Sequence, residues 1–281
     1  MTTKLGNTRI TGTEQYYTPA ALASELVART LQHLDNPRSV YFLEPAAGTG
    51  SFLRALESAG IEAMTAIDKY PKNHRVTQAD FLTWSPHRTD FVTISNPPFG
   101  RNNALSVPFF NHAAEFSNYI AFLVPRSWRK WSVQNRLDDR FHLIEDTSVQ
   151  VQYEDEFGNK IAKNNDLRTC FQIWKKQDFP RKKISVPDNG LIAKSGPEQA
   201  DIAIRVFGYG CGQVFDQFER VPNTTLMFLR ILDKRVMGLI KGLDYESFAI
   251  NTAYTKALSF QEINFLINQE LFGDGFAQVR G

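Results

Sequence analysis

An amide, two prolines and an aromatic ring follow the apolar run "FVTIS" as Asn96, Pro97, Pro98 and Phe99. Two consecutive prolines have no backbone N–H and a fixed φ, so a strand cannot simply continue through them. One interpretation is a stiff turn at a strand end, with the Phe99 ring in the core. The other is a rigid shelf that holds the Asn96 amide and the Phe99 ring for use in chemistry. These four residues do not by themselves decide between the two.

Acidic side chains end or follow three other apolar runs. Glu44 ends "SVYFLE", Asp68 ends "AMTAID", and Asp80 follows "VTQA" and precedes Phe81. A carboxylate in the position of Asp68 suits the two hydroxyls of a ribose. Asp80 could accept a hydrogen bond from an exocyclic amine next to the flat ring of Phe81. The simpler interpretations are an exposed strand end for Asp68 and a core position for Phe81.

Small residues follow Glu44 in "PAAGTGSF". Gly48 and Gly50 allow the backbone to come close to a ligand, and the N-terminus of the helix that follows favours a negative group. A tight turn that packs a helix on a strand would use the same glycines. Thr18 precedes Pro19 in "QYYTP", where it could cap a helix, although capping leaves the paired tyrosines unexplained.

Apolar runs that alternate with helical patterns must position these residues. This alternation is typical of an α/β fold with an open, mostly parallel sheet covered by helices on both faces. Such sheets bind ligands outside the carboxyl ends of their strands. We predict seven strands in all, the last two in "FHLIEDTSV" and "LRTCFQIWKK", and helices in 20–34, 51–60 and 109–116.

The composition changes near residue 180, where Gly, Pro and basic residues become frequent and the alternation stops. We therefore predict a catalytic domain in residues 1–179 and a smaller domain in residues 180–281. The 281 residues are 42% hydrophobic with a formal net charge of +2, so bulk charge does not indicate nucleic-acid binding, although a local basic face remains possible. Two distant cysteines and five scattered histidines predict neither a disulfide nor a metal site. No signal peptide or membrane span is evident, and we expect a cytoplasmic protein.

The segments "QYYTP", "LEPAAGTGSF", "AIDKY", "ADFL", "NPPF" and "IAFLVPRSW" occur in an order that resembles the amino-methylating, S-adenosylmethionine-dependent methyltransferases. The chain is most similar to DNA adenine-N6 methyltransferases with a target-recognition region after the catalytic domain. The similarity covers roughly residues 15–176 by motif order. In two positions the chain departs from the family, since Phe99 replaces a common tyrosine and Asp68 a frequent glutamate.

The resemblance implies a Rossmann-like methyltransferase sheet that binds S-adenosyl-L-methionine. Thr18, Glu44 and Ala46 would hold the methionine end, Asp68 the ribose, and Asp80 with Phe81 the adenine of the cofactor. The full set of cofactor-binding residues that we expect is Tyr17, Thr18, Glu44, Ala46, Gly48, Gly50, Asp68, Asp80 and Phe81.

For the substrate, the resemblance implies that Asn96 and the Pro97 carbonyl accept hydrogen bonds from an adenine amine while Phe99 stacks on the base. A base inside a duplex must be flipped out to present its amine. We expect Trp174, with Phe171 as its rival, to close over that base. The remaining substrate-binding residues that we expect are Pro98 in the shelf and Arg126, Arg129 and Lys130 at the phosphates of double-stranded DNA.

Three other functions remain open. The same chemistry on RNA adenine would use the same motifs. A protein glutamine-N5 methyltransferase would need a similar shelf, although "QYYTP" and the extra domain argue against it. A non-catalytic nucleic-acid-binding subunit is opposed by the intact motifs. No obligate protein partner, membrane association or metal ion is expected.

Overall fold

The computed structural model describes residues 16–161 and 167–278. Its internal contacts divide the chain into two compact units. The first comprises Met1–Val124 and Arg136–Arg181, and the second comprises Pro125–Asn135 and Lys182–Gly281. The second unit thus takes in a short segment, Pro125–Asn135, from the middle of the chain as well as the C-terminal part in which we expected a separate domain.

The first unit contains a seven-stranded sheet in the order β3-β2-β1-β4-β5-β7-β6. The pairs β1–β2, β1–β4, β2–β3 and β4–β5 are parallel, and β6 runs antiparallel to β7. The predicted seven-stranded, mostly parallel sheet is therefore confirmed. The strands are β1 (Tyr41–Glu44), β2 (Met64–Asp68), β3 (Thr77–Gln78), β4 (Phe91–Ser95), β5 (Ser117–Pro125), β6 (Phe141–Val149) and β7 (Thr169–Lys176).

The helices of this unit follow the predicted pattern, but each ends two or three residues before the predicted end, and the third begins at Ser106, three residues before its predicted start. The first helix buries Ala23, Leu26, Val27 and Thr30, which recur at helical spacing and so lie on one face. The α-helices are α1 (Ala20–Leu31), α2 (Ser51–Ser58) and α3 (Ser106–Ala114), with 3₁₀ turns at Pro37–Ser39, Phe81–Thr83 and Arg101–Asn103.

The centre of the sheet is buried on both faces. Every residue of β4 is buried, and so is every residue from Ile120 to Pro125 in β5. Continuous apolar runs of this kind are expected where helices cover both sides of parallel strands. The polar residues that the sequence singles out lie instead at the strand ends, as with Glu44 and Asp68, or in the loops that follow them, as with Asn96.

The second unit is built on a four-stranded antiparallel sheet in the order β10-β9-β11-β8. Its strands are β8 (Ile192–Lys194), β9 (Ile202–Arg205), β10 (Val214–Phe215) and β11 (Leu226–Ile231). Its α-helices are α4 (Trp131–Gln134), α5 (Lys234–Leu239), α6 (Glu246–Ala249) and α7 (Phe260–Phe272), with 3₁₀ turns at Arg126–Arg129 and Pro197–Gln199. A capping box between Ser259 and Glu262 begins α7.

Lys130 is part of the interior of the second unit, which corrects its expected role at phosphates. Its Nζ donates to Glu262 Oε1 at 2.6 Å and Oε2 at 2.8 Å, and also to the carbonyls of Ala257 and Phe248. The Lys130 side chain is 15% exposed and that of Glu262 only 3%. A buried charge that already has an ionic partner and two carbonyls has no donor left for a polyanion.

No helix in the described residues is long and apolar enough to cross a membrane.

Candidate active site

The strand register brings the polar strand-end residues to one edge of the sheet. Leu43 pairs with Thr93 and Glu44 with Ala66, so Glu44, Asp68 and Asn96 lie at the carboxyl ends of three neighbouring strands. Neighbouring strands are about 4.8 Å apart. The side chains that the sequence singled out at strand ends are therefore brought together, as parallel strands require.

Asn96 is the centre of the shelf. Its Nδ2 donates to the backbone carbonyl of Tyr16 at 3.0 Å. A carbonyl can only accept a hydrogen bond, so this contact fixes which end of the amide is the NH₂ group. The other end, Oδ1, is buried and has no hydrogen-bond partner among the described residues. Asn96 thus presents an acceptor that the described chain does not use.

The rest of the shelf is stiff and leaves a ring accessible. Pro97 is buried, and Pro98 and Phe99 are half-buried. The Phe99 carbonyl accepts from the N–H groups of Leu105 and Ser106 at 3.3 and 3.4 Å, which ties the shelf to the start of α3. Phe99 is half-buried, whereas the core ring of Phe81 is only 2% exposed, so the interpretation of Phe99 as a core residue is not supported.

Two tyrosines that support the shelf, Tyr16 and Tyr153, were not identified from the sequence. The ring of Tyr16, whose carbonyl holds Asn96, lies 5.4 Å from the ring of Tyr153. The next residue, Tyr17, exchanges two backbone hydrogen bonds of 3.1 Å with Glu154. The unexplained tyrosine pair in "QYYTP" was the only signal for Tyr16, and the sequence around Tyr153 carried none.

Two further buried oxygens lack partners at this edge of the sheet. Glu44 is 3% exposed, and its Oε2 has no hydrogen-bond partner in the described chain. Burial raises the pKa of Glu44 to about 8. The hydrogen bond that Glu44 accepts from the Leu53 N–H acts in the opposite direction and lowers the pKa. Thr18 Oγ1 is likewise buried without a described partner, and Pro19, not Thr18, is the N-cap of α1. The capping interpretation of Thr18 is therefore wrong.

Asp68 organises the glycine-rich turn. Its Oδ2 accepts from the Gly48 N–H at 2.8 Å and its Oδ1 from the Tyr70 N–H at 2.7 Å. Gly48 has a φ of +49°, and a Cβ there would lie 2.6 Å from Cε1 of Tyr17. The close approach of Tyr17 therefore requires glycine at position 48 whether or not a ligand is bound. Burial, followed by the charges of Glu156 and Asp68, raises the pKa of Tyr17 to about 12.

The remaining predicted cofactor residues have different environments. Ala46 is half-buried, and Gly50 is buried as the N-cap of α2. Asp80 accepts from Lys69 Nζ at 2.8 Å, and this contact lowers the pKa of the Asp80 carboxyl. Phe81 is 2% exposed, with its ring 5.0 Å from that of Phe109. Phe81 is thus a core residue, which corrects its assignment to the cofactor.

The predicted second ring of a base pocket is also corrected. Trp174 is 1% exposed and Phe171 is fully buried, both on β7. The Trp174 ring packs 5.6 Å from that of Phe110 inside the first unit. Neither ring can close over a base without leaving the core. Arg126 and Arg129 are half-buried on a 3₁₀ turn of the second unit, and their contact with phosphates stays a prediction.

A scan against family models and a search of curated proteins found no match. Among solved structures, the chain is similar to a proposed RNA methyltransferase from Pyrococcus horikoshii, with 18% identity and a TM-score of 0.47 over 58% of this chain and 88% of that one. It is also similar to the modification subunit of a proposed type I restriction enzyme from Vibrio vulnificus YJ016, with 16% identity and a TM-score of 0.41 over 58% of this chain and 44% of that one.

A third similar structure is a proposed class I S-adenosylmethionine-dependent methyltransferase from Listeria monocytogenes. It is 18% identical, with a TM-score of 0.39 over 60% of this chain and 63% of that one. The likeness in all three cases is one of fold, and the activities named belong to those proteins.

The raised pKa of Glu44 gives a test of its environment. In the unfolded chain the carboxyl ionises near its ordinary value of 4.5, whereas in the folded protein it keeps its proton up to about 8. Between these values the folded state binds the extra proton, so the Glu44 contribution to stability falls by roughly 1.4 kcal/mol per pH unit as pH rises.

We therefore expect Glu44→Gln to gain stability relative to the wild type as pH rises from about 4.5 to about 8, and the difference to level off above that range. Urea unfolding of both proteins over this pH series measures it. Glu62→Gln, at an exposed position, is the matched control for the substitution itself. A Glu44→Gln difference that is constant with pH would mean that Glu44 is ionised in the folded protein.

Proposed function

We propose that this protein transfers a methyl group from S-adenosyl-L-methionine to the N6 amine of adenine in DNA. The observation that carries the proposal is the buried, unpaired Oδ1 of Asn96, with Nδ2 held by the Tyr16 carbonyl. Leaving a buried acceptor without a partner costs about 1–3 kcal/mol, so a donor on the substrate is the natural occupant of this position. An exocyclic amine supplies such a donor.

The amine of adenine is a poor nucleophile because its lone pair is delocalised into the ring. Two acceptors directed at its N–H groups favour a more pyramidal nitrogen and stabilise the positive charge that develops on it. Asn96 Oδ1 is one acceptor, and the Pro97 backbone carbonyl is the second. Since Tyr16 fixes the amide and the prolines fix the backbone, little reorganisation is needed during transfer.

The half-buried ring of Phe99 completes the shelf. A base in a duplex must leave the stack before its amine can reach a methyl donor. Stacking on an aromatic side chain contributes about 1–3 kcal/mol per base, which offsets part of the cost of extrusion. Phe99 would stack on the flipped adenine with Pro98 beside it, while Trp174 and Phe81 remain in the core.

The chemistry of the neighbouring strand ends fits the cofactor. S-adenosylmethionine, when bound, supplies an electrophilic methyl group on a cationic sulfur. A cationic amine beside the unpaired Glu44 Oε2 would favour the ionised carboxylate against the effect of burial, and the unpaired Thr18 Oγ1 suits a polar group beside it. Asp68 keeps lone pairs for ribose hydroxyls after accepting its two backbone N–H groups. Asp80 would have to bind the adenine of the cofactor while its carboxylate also accepts a hydrogen bond from Lys69.

The preference for DNA, and for the second unit as the target-recognition part, rests on the motif resemblance. Arg126 and Arg129 of that unit are the candidate phosphate contacts. The core residues serve RNA adenine or a protein amide equally well, since all three substrates present a delocalised nitrogen. The substrate therefore has to be tested directly.

The test is incubation of the protein with methyl-labelled cofactor and, separately, duplex DNA, RNA and a protein mixture. We expect label in DNA, recovered as N6-methyladenine after digestion. Label only in RNA or only in glutamine would support methyl transfer to nitrogen but show that DNA is not the substrate. If none of the substrates is labelled although titration calorimetry shows that the cofactor binds, the proposed activity is wrong.

Asn96→Ala tests the shelf acceptor. Loss of one preorganised hydrogen-bonding group costs roughly 2.7–4 kcal/mol, so single-turnover methylation should slow by about a hundred- to thousand-fold. Cofactor affinity should stay the same, because Asn96 faces the substrate in this proposal. Asn36→Ala, at an exposed asparagine before β1, is the control. A wild-type rate for Asn96→Ala would show that the shelf is only a stiff turn.

Phe99 variants separate stacking from amine chemistry. Phe99→Ala should weaken substrate binding by the stacking contribution, about 1–3 kcal/mol, and also slow turnover. Phe99→Tyr and Phe99→Trp should retain most activity, since each supplies a ring. Substrate titration beside single-turnover rates measures both effects. Equal substrate affinity for Phe99→Ala and the wild type would remove Phe99 from the base-binding role.

A further inference from the structure

The loop between β9 and β10 of the second unit exposes two aromatic rings. Tyr209 is completely exposed, and Phe207 is 50% exposed. Exposed aromatic residues grouped on one loop mark interaction sites more often than single exposed apolar residues do. We call residues 206–213 the aromatic loop.

The base of the aromatic loop is fixed from two sides. The Val206 N–H donates to the Thr225 carbonyl at 2.8 Å, and the Val206 carbonyl accepts from Leu258 N–H at 2.9 Å. The Gly208 N–H donates to the Lys256 carbonyl at 3.0 Å. The loop is therefore held in shape before any partner arrives, which lowers the entropy lost on binding.

Tyr209 lies at the tip of the aromatic loop, where its side chain is completely exposed to solvent. Gly208 and Gly210, on either side of it, have φ of +88° and +72°, a region that residues with a side chain rarely adopt. A Cβ on Gly208 would have no atom within 4 Å, so this side of the Tyr209 backbone is open, whereas Arg205 and Gln213 lie close to Gly210 on the other side. A flat ligand can therefore approach the ring closely.

The same rings line a cavity of about 500 Å³ together with polar groups. Arg205, Gln213 and Thr225 contribute a guanidinium, an amide and a hydroxyl to its wall. None of the described salt bridges includes Arg205, whose guanidinium lies 5.6 Å from the centre of the Phe215 ring. Small-molecule sites of about 300–1,000 Å³ commonly combine apolar walls with a few polar groups in this way.

We propose that the aromatic loop binds an unstacked base of the nucleic acid, with the adjacent phosphate on Arg205. This inference rests on the proposed nucleic-acid substrate and assigns it a second contact, outside the shelf. A cation without an acidic partner complements a polyanion, and every base offers a face for a ring to stack on. The Gln213 amide can hydrogen-bond a base edge.

The experiment measures binding, not methylation. Fluorescence anisotropy of fluorescein-labelled, mixed-sequence duplex DNA, its single strand and the matching RNA is recorded without cofactor. Tyr209→Ala should weaken binding of the preferred probe by about 5- to 160-fold, since one stacking contact is lost. Tyr209→Phe should bind like the wild type. Phe179→Ala removes a ring that is 60% exposed in the first unit and is the control.

Arg205→Gln gives a second, independent readout. Loss of one phosphate contact should reduce the slope of log affinity against log salt by about 1, whereas Tyr209→Ala should leave that slope unchanged. Wild-type affinity for all three probes in both Tyr209→Ala and Phe207→Ala would overturn the proposal, as would the failure of the wild type to bind any probe. Binding that depends on the Tyr209 or Phe207 ring, in a protein that does not methylate adenine, would support the binding role of the aromatic loop and contradict the proposed activity.

Discussion

The shelf depends on one hydrogen bond, from Asn96 Nδ2 to the carbonyl of Tyr16. A carbonyl has no proton to give, so the amide cannot turn round without losing this bond and placing two acceptors face to face. The two prolines set the backbone, but they do not select the orientation of the amide. Tyr16 does, and it is steadied by the Tyr153 ring and by the backbone pairing of Tyr17 with Glu154. The chemistry of the shelf is thus determined partly by residues far away in the sequence.

The cost of this arrangement is concentrated at one edge of the sheet. Thr18 Oγ1, Glu44 Oε2, Ser95 Oγ and Asn96 Oδ1 are all buried without a partner in the described chain. Each unpaired polar atom costs about 1–3 kcal/mol, which the burial of β4 and of Ile120 to Pro125 in β5 must offset. A sequence selected for stability alone would fill these positions with apolar side chains. Unpaired polar atoms grouped at the strand ends are what a ligand-binding edge of a sheet requires.

The sequence was sufficient to predict the sheet and the strand-end residues, since long apolar runs and the carboxyl-edge rule require no tertiary detail. It failed where burial alone decides the role of an aromatic or charged side chain. Phe81 and Trp174 lie in motifs with a functional pattern, yet both are enclosed by other rings. Lys130 lies in a basic run but is paired with Glu262, which is distant in sequence. Such contacts depend on which elements pack together, and no local pattern records them.

Asp68 illustrates why structural and ligand-binding roles are hard to separate in this site. Both of its carboxylate oxygens accept backbone N–H groups, from Gly48 and Tyr70, so the residue shapes the turn in the absence of a ligand. Replacing it removes the turn contacts and any ribose contact together, and an amide at this position would set an NH₂ group against a backbone N–H. Gly48 is constrained in the same way by the Tyr17 ring. The residues that report on ligands most directly are therefore those whose polar atoms the folded chain leaves unused, Glu44 and Asn96 above all.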